Sequence, residues 1–190
     1  MLEKINQFFD RILENQIELY SECGLQYELA IFLRNSFPEL NVRLEYPTSR
    51  IFNPLPNMLK KVIDIYITEG NRRYVIELKM PQDNGGIPKA MYHSIEDVKF
   101  LEQLKNAGIN ECYSIFMTSC VAFWQAQRAN AGIYNYFNGN TVNIASIGIE
   151  DLPNFLHVRG PIELENVYQT DWLEYNDLNN LQWKYYLLEV

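Results

Sequence analysis

Lys61-Val62-Ile63-Asp64-Ile65-Tyr66-Ile67 and Arg73-Tyr74-Val75-Ile76-Glu77-Leu78-Lys79, with Glu69-Gly70-Asn71 between them, are the stretches whose reading decides the fold. Both are apolar runs of strand length, and Glu-Gly-Asn is good turn chemistry, so the pair reads as a hairpin. Side chains alternate faces along a strand. Val62, Asp64 and Tyr66 therefore share one face of their strand, and Val75, Glu77 and Lys79 share one face of theirs. Pairing the strands sets Asp64 beside Glu77, with Lys79 one pleat further along. Ionised groups among apolar neighbours are costly unless they pair, hydrogen-bond or hold a metal. Two adjacent carboxylates repel unless a cation lies between them, and carboxylate oxygens suit Mg²⁺. The bland alternative is a half-exposed hairpin carrying a surface Glu/Lys pair of little energetic worth.

Outward from the hairpin, residues 22–37 read as a helix with apolar positions Leu25, Leu29, Phe32, Leu33 and Phe37. Glu28 has Leu25, Ile31 and Phe32 as its helical neighbours, which sets it on the apolar face. It either needs a partner there or reaches water from the edge of the stripe. Strands are expected at 41–46 and 112–118. A helix is expected at 94–107, with Ser94-Ile95-Glu96-Asp97 spaced like a capping box and Gly108 as its stop.

The order helix, three strands, helix, strand, together with D…ExK at Asp64, Glu77 and Lys79, resembles the PD-(D/E)XK nuclease superfamily. The resemblance covers about half the chain, residues 22–118, and Ile63 stands where the name-giving Pro would be. It implies an α/β, restriction-endonuclease-like core: a central mixed β-sheet flanked by helices, with an α+β C-terminal extension. It further implies catalytic Asp64, Glu77, Lys79 and Glu28, and a metal held by Asp64, Glu77, Glu28 and the Leu78 carbonyl. The cofactor would be Mg²⁺, or Mn²⁺ in its place. The activity expected is hydrolysis of phosphodiester bonds in DNA. The alternative is a non-catalytic protein- or nucleic-acid-binding module on the same fold. Related nucleases often aim a Lys or Gln from the later helix at the site, which singles out Lys99 and Gln103.

Length and composition bound the rest. The 190 residues fit a single domain, with the core at about 20–147 and the extension at about 148–190. Met1–Gln16 has the pattern of an amphipathic helix, not of a signal peptide. No run is apolar enough to span a membrane. Cys23, Cys112 and Cys120 are isolated, which argues for a reducing cytoplasm and against zinc. The net charge of −8 opposes nonspecific nucleic-acid binding, but the acid is at the ends. Residues 41–110 hold ten Lys/Arg against eight Asp/Glu, and residues 148–190 hold two against eight. Arg43, Arg50, Lys60, Lys61, Arg72, Arg73 and Lys89 are candidates for phosphate contact. DNA is the expected partner, and a homodimer is compatible with double-strand cutting.

The Pro-rich stretch Tyr46–Met58 and the stretch Pro81–Pro88 read as loops. A helix is expected over Val121–Asn130, a strand over Thr141–Ile147, and edge strands over Ile162–Tyr168 and Gln182–Leu188. The late aromatics (Tyr168, Trp172, Tyr175, Trp183, Tyr185 and Tyr186) sit among acids, so core packing or a dimer contact explains them better than base stacking.

Overall fold

The computed structural model describes residues 1–53, 57–82, 86–125 and 132–190. The hairpin is present: β2 (Val62–Glu69) turns through Gly70, at φ 56°, into β3 (Arg72–Lys79). β1 (Asn41–Pro47) lies antiparallel on the free side of β2, and β4 (Glu111–Thr118) runs parallel to β3. β8 (Gln182–Glu189) is antiparallel to β4 and also pairs with β7 (Leu173–Asn176). The result is a six-stranded mixed sheet in the order β1-β2-β3-β4-β8-β7.

Among the described residues, three α-helices flank this sheet. α1 (Leu2–Leu13) and α2 (Glu22–Ser36) pack on one face with Ile65, Ile67, Tyr74, Ile76, Tyr113 and Ile115. α3 (Ile87–Asn106) packs on the other with Tyr66, Val75, Cys112 and Phe116. Each helix follows from its sequence. Ile5, Phe8, Phe9 and Ile12 of α1 recur at helical spacing and are all buried. The Ser21 hydroxyl caps α2 by accepting the Gly24 N–H at 3.0 Å. A helix between β3 and β4 supplies the crossover that parallel strands require.

Several expectations need correction. α3 starts at Ile87, seven residues before the anticipated capping box, with Pro88 in its first turn where a missing N–H costs nothing. Ser94 is thus inside the helix and buried, with its hydroxyl 2.5 Å from the Tyr186 hydroxyl. Val121–Phe123 is a short 3₁₀ turn, and residues 126–130 of the helix expected there lie outside the described residues. The strand expected at Thr141–Ile147 is β5 (Thr141–Ile144), followed by an isolated bridge from Ile147 to Ile162. It pairs with β6 (Tyr168–Asp171), which begins at the last residue of the strand expected over Ile162–Tyr168; within 162–167 the only β-pairing among the described residues is the bridge at Ile162. β8 is interior to the sheet, because the short β7 covers its outer side.

The late aromatics pack inward. Tyr186 stacks on Phe116 at 5.4 Å between ring centroids, and Trp172 meets both rings edge-on. No helix among the described residues is long and apolar enough to cross a membrane.

Candidate active site

The β2–β3 ladder runs from Glu69 opposite Arg72 to Ile65 opposite Ile76. Beyond that point the backbones bond to carboxylates. The Asp64 N–H donates to Glu77 Oε1 at 3.2 Å, and the Leu78 N–H donates to Asp64 Oδ2 at 2.8 Å. The hairpin therefore brings Asp64 and Glu77 side by side and fixes both against main chain. Glu77 is fully buried, and Asp64 is half-buried.

Two further residues, neither expected as part of the acid pair, complete the cluster. The Lys60 ammonium, from the irregular segment before β2, lies 2.5 Å from Glu77 Oε2 and 2.5 Å from Asp97 Oδ1. Asp97 comes from the middle of α3 and is 1% exposed. Neither of its oxygens receives a well-directed hydrogen bond among the described residues, even though Lys60 is within ion-pair distance. The Lys79 ammonium lies 3.7 Å from Asp97 Oδ2 and 3.6 Å from Glu22 Oε1, and it donates to the Leu78 carbonyl at 3.3 Å. Glu22, in the first turn of α2, accepts the Met80 N–H at 2.8 Å.

Electrostatics follow from the count. Asp64, Glu77 and Asp97 are three carboxylates facing two ammonium groups, Lys60 and Lys79. Burial, opposed by the Leu78 N–H and the Lys60 charge, pushes Asp64 up to about 6. Burial and then the Asp64 charge raise Glu77 well above the ordinary carboxylate range. Burial also raises Asp97, against the pull of Lys60 and Lys79. For Lys60, burial favours the neutral amine, but the Glu77 and Asp97 charges outweigh it and the net shift is upward. The upward shift keeps Lys60 charged at neutral pH, while the raised carboxyls, Glu77 above all, hold their protons more tightly than free ones.

Other residues expected at the site lie elsewhere. Glu28 is half-buried on α2, and no hydrogen bond or ion pair among the described residues links it to Asp64 or Glu77. At about 100° per residue it points some 120° away from Glu22, the carboxylate that α2 does deliver. Between them, Gln26 donates to the Asp64 carbonyl at 2.8 Å. The Leu78 carbonyl, expected as a ligand, is already taken by Lys79.

Arg72 pairs with Glu111 at the far end of β3 from Lys79. Seven residues of strand put it roughly 23 Å away. Lys99 pairs with Glu102 at 3.3 Å, and the Gln103 side chain accepts the Leu59 N–H at 2.9 Å. Both line a cleft of about 380 Å³ with Tyr92, Glu96 and Arg159, and none of Asp64, Glu77 and Lys79 reaches it. Lys61 and Lys89 are exposed. His93 pairs with Glu96 at 3.0 Å.

The donor set suits a hard divalent cation. Carboxylate oxygens of Asp64, Glu77 and Asp97 lie near the end of β3, and the two buried oxygens of Asp97 have ammonium groups nearby but no well-directed hydrogen bond among the described residues. Among the described residues, no group of three or more His, Cys, Asp and Glu side chains gathers as a metal cluster. Set against family models, curated proteins and solved structures, the chain has no match in any of the three comparisons.

Proposed function

We propose that this chain is a Mg²⁺-dependent nuclease of the PD-(D/E)XK type, with a restriction-endonuclease-like core, that hydrolyses phosphodiester bonds in DNA. The observation that carries the reading is the contact between Asp64 and Glu77, with the Lys79 ammonium directed at the same cluster through Asp97. The succession α2, β1, β2, β3, α3, β4 agrees with the core order of that superfamily.

Asp64 and Glu77 would hold the cation, and bound Mg²⁺ would acidify a water and offset phosphate charge. The remaining chemistry belongs to the chain. Hydrogen bonds from main-chain N–H groups keep Asp64 and Glu77 from rotating away. The Lys79 ammonium, one-quarter exposed, reaches toward solvent beside them. There it would orient the attacking water and neutralise charge growing on the phosphate. Lys61 and Lys89, both exposed, are suited to the flanking phosphates.

A cleavage panel with plasmid and labelled oligonucleotides, run with Mg²⁺ and Mn²⁺, tests this. Wild type should cut, and Lys79→Ala should lose cutting while keeping its circular dichroism spectrum. Equal cutting by Lys79→Ala would remove Lys79 from the mechanism.

One observation favours a second reading, a non-catalytic binding module on the same fold. The Lys60 ammonium already bridges Glu77 and Asp97. In such a module this bridge would be permanent, and neither Mg²⁺ nor Mn²⁺ would give a binding heat.

A further inference from the structure

We propose that Lys60 is a tethered occupant of the cation site, and that a divalent ion binds by displacing it from the Glu77–Asp97 pair. The proposal rests on the metal-dependent reading above and assigns Asp97 as a cation ligand in the position that Glu28 was expected to fill.

The ammonium stands where a hard cation would stand. Two buried carboxylate oxygens, Glu77 Oε2 and Asp97 Oδ1, approach it from opposite elements, each at 2.5 Å. A buried carboxylate kept for structure is normally met by hydrogen bonds. Asp97 has ion-pair proximity to Lys60 and Lys79 but no directed hydrogen bond to either oxygen. Its geometry is that of a ligand facing a central charge. Asp64, fixed beside Glu77 by main-chain N–H groups, adds a third carboxylate to the cluster. Carboxylates supplemented by water are the ordinary surroundings of Mg²⁺.

The supports of the two partners are unequal. Glu77 is on an interior strand and Asp97 is in the middle of a twenty-residue helix, both fully buried. Lys60 is on a segment without regular secondary structure, and its side chain is 28% exposed. Its neighbour Leu59 is half-exposed, and the Leu59 N–H donates to the Gln103 side chain. The carboxylates are fixed, and the ammonium has an exit. Once released, Lys60 joins the exposed Lys61 beside the site, where both face an incoming polyanion. Cation uptake then uncovers a phosphate contact.

The test uses the full chain after chelator treatment, titrated with Mn²⁺ by calorimetry, as wild type, Lys60→Met, Lys60→Gln and Asp97→Asn. Removing the competing ammonium should tighten Mn²⁺ binding by about tenfold or more in both Lys60 variants. Asp97→Asn should weaken it by about tenfold or more. In wild type, saturating Mn²⁺ should speed hydrogen exchange at the Leu59 amide, a readout that stands even if the variants do not fold.

Equal or weaker Mn²⁺ binding in the Lys60 variants, with wild type binding normally, overturns the displacement. Unchanged exchange at Leu59 under saturating Mn²⁺ overturns it too. Absence of Mn²⁺ binding in wild type and in both folded Lys60 variants is a different failure, and it ends the metal-dependent reading itself.

Discussion

Replacing Asp64 by Asn should make the metal-free protein more stable at pH 8. Burial is the main cause that lifts the Asp64 carboxyl from 3.8 to about 6. The native state therefore binds a proton more tightly than the unfolded chain does. Stability rises with pH wherever the unfolded state binds more protons, and here the reverse holds. The penalty is absent below the unfolded value near 4, grows as pH rises, and is complete above the native value near 6. A displacement of that size corresponds to about 3 kcal/mol at pH 8 and to about half as much at pH 5.

Asparagine keeps an oxygen that can accept the Leu78 N–H, so the main-chain bond at 2.8 Å has a successor. It also removes the charge that, after burial, does most to raise Glu77, a change of the same sign. Urea unfolding with chelator at pH 5 and pH 8 measures the effect. Asp64→Asn should gain about 3 kcal/mol over wild type at pH 8 and about 1.5 kcal/mol at pH 5. A gain that is equal at the two pH values, or a loss at pH 8, would refute the reasoning that Asp64 is an ionised carboxylate under strain.

Three other perturbations follow from the same structure. Glu22→Ala strips the Met80 N–H of its acceptor and should cost about 1 kcal/mol in urea unfolding. Glu28→Ala, with no such partner among the described residues, should stay within about 0.5 kcal/mol; the reverse ranking would return Glu28 to the site. Phe116→Ala empties the centre of a ring cluster with Phe123, Phe137, Trp172 and Tyr186, and should cost about 3–5 kcal/mol in the same assay. A cost under about 1 kcal/mol would mean that those rings collapse into the space.

What the sequence makes legible is what short-range pattern controls. The hairpin, its turn, the faces of its strands and the meeting of Asp64 with Glu77 are all consequences of alternation and a glycine turn. α1 and α2 are readable because their apolar residues recur at helical spacing. The start of α3 is misread because Pro88 looks like the end of a loop, although proline is at home in a first helical turn. That error hides Asp97. With the helix begun at Ile87, Asp97 falls between Ser94 and Leu101 on the buried face, at i+3 and i−4, and an acid in that stripe is a visible anomaly. Lys60 has no such signal. It stands just before β2, ahead of the apolar run, and meets Glu77 across the hairpin seventeen residues on, so the strand pattern does not single it out. The interior place of β8 is hidden for a related reason: β7 is a four-residue strand amid polar sequence, too short to show alternation.

The cluster at the end of β3 is a poor way to stabilise a sheet. Apolar side chains of similar volume at Asp64, Glu77 and Asp97 would remove buried charge and often cost nothing in stability. An ion-pair network kept for structure would saturate its oxygens, whereas this one gathers three carboxylates around two ammonium groups and leaves Asp97 without a directed donor. Proteins break local rules of this kind chiefly where a ligand or a reaction requires it. The chemistry of the donors narrows the requirement. On the proposed function, the buried oxygens held by β3 and α3 would receive a cation, and Lys60, which now bridges Glu77 and Asp97, marks where it would sit.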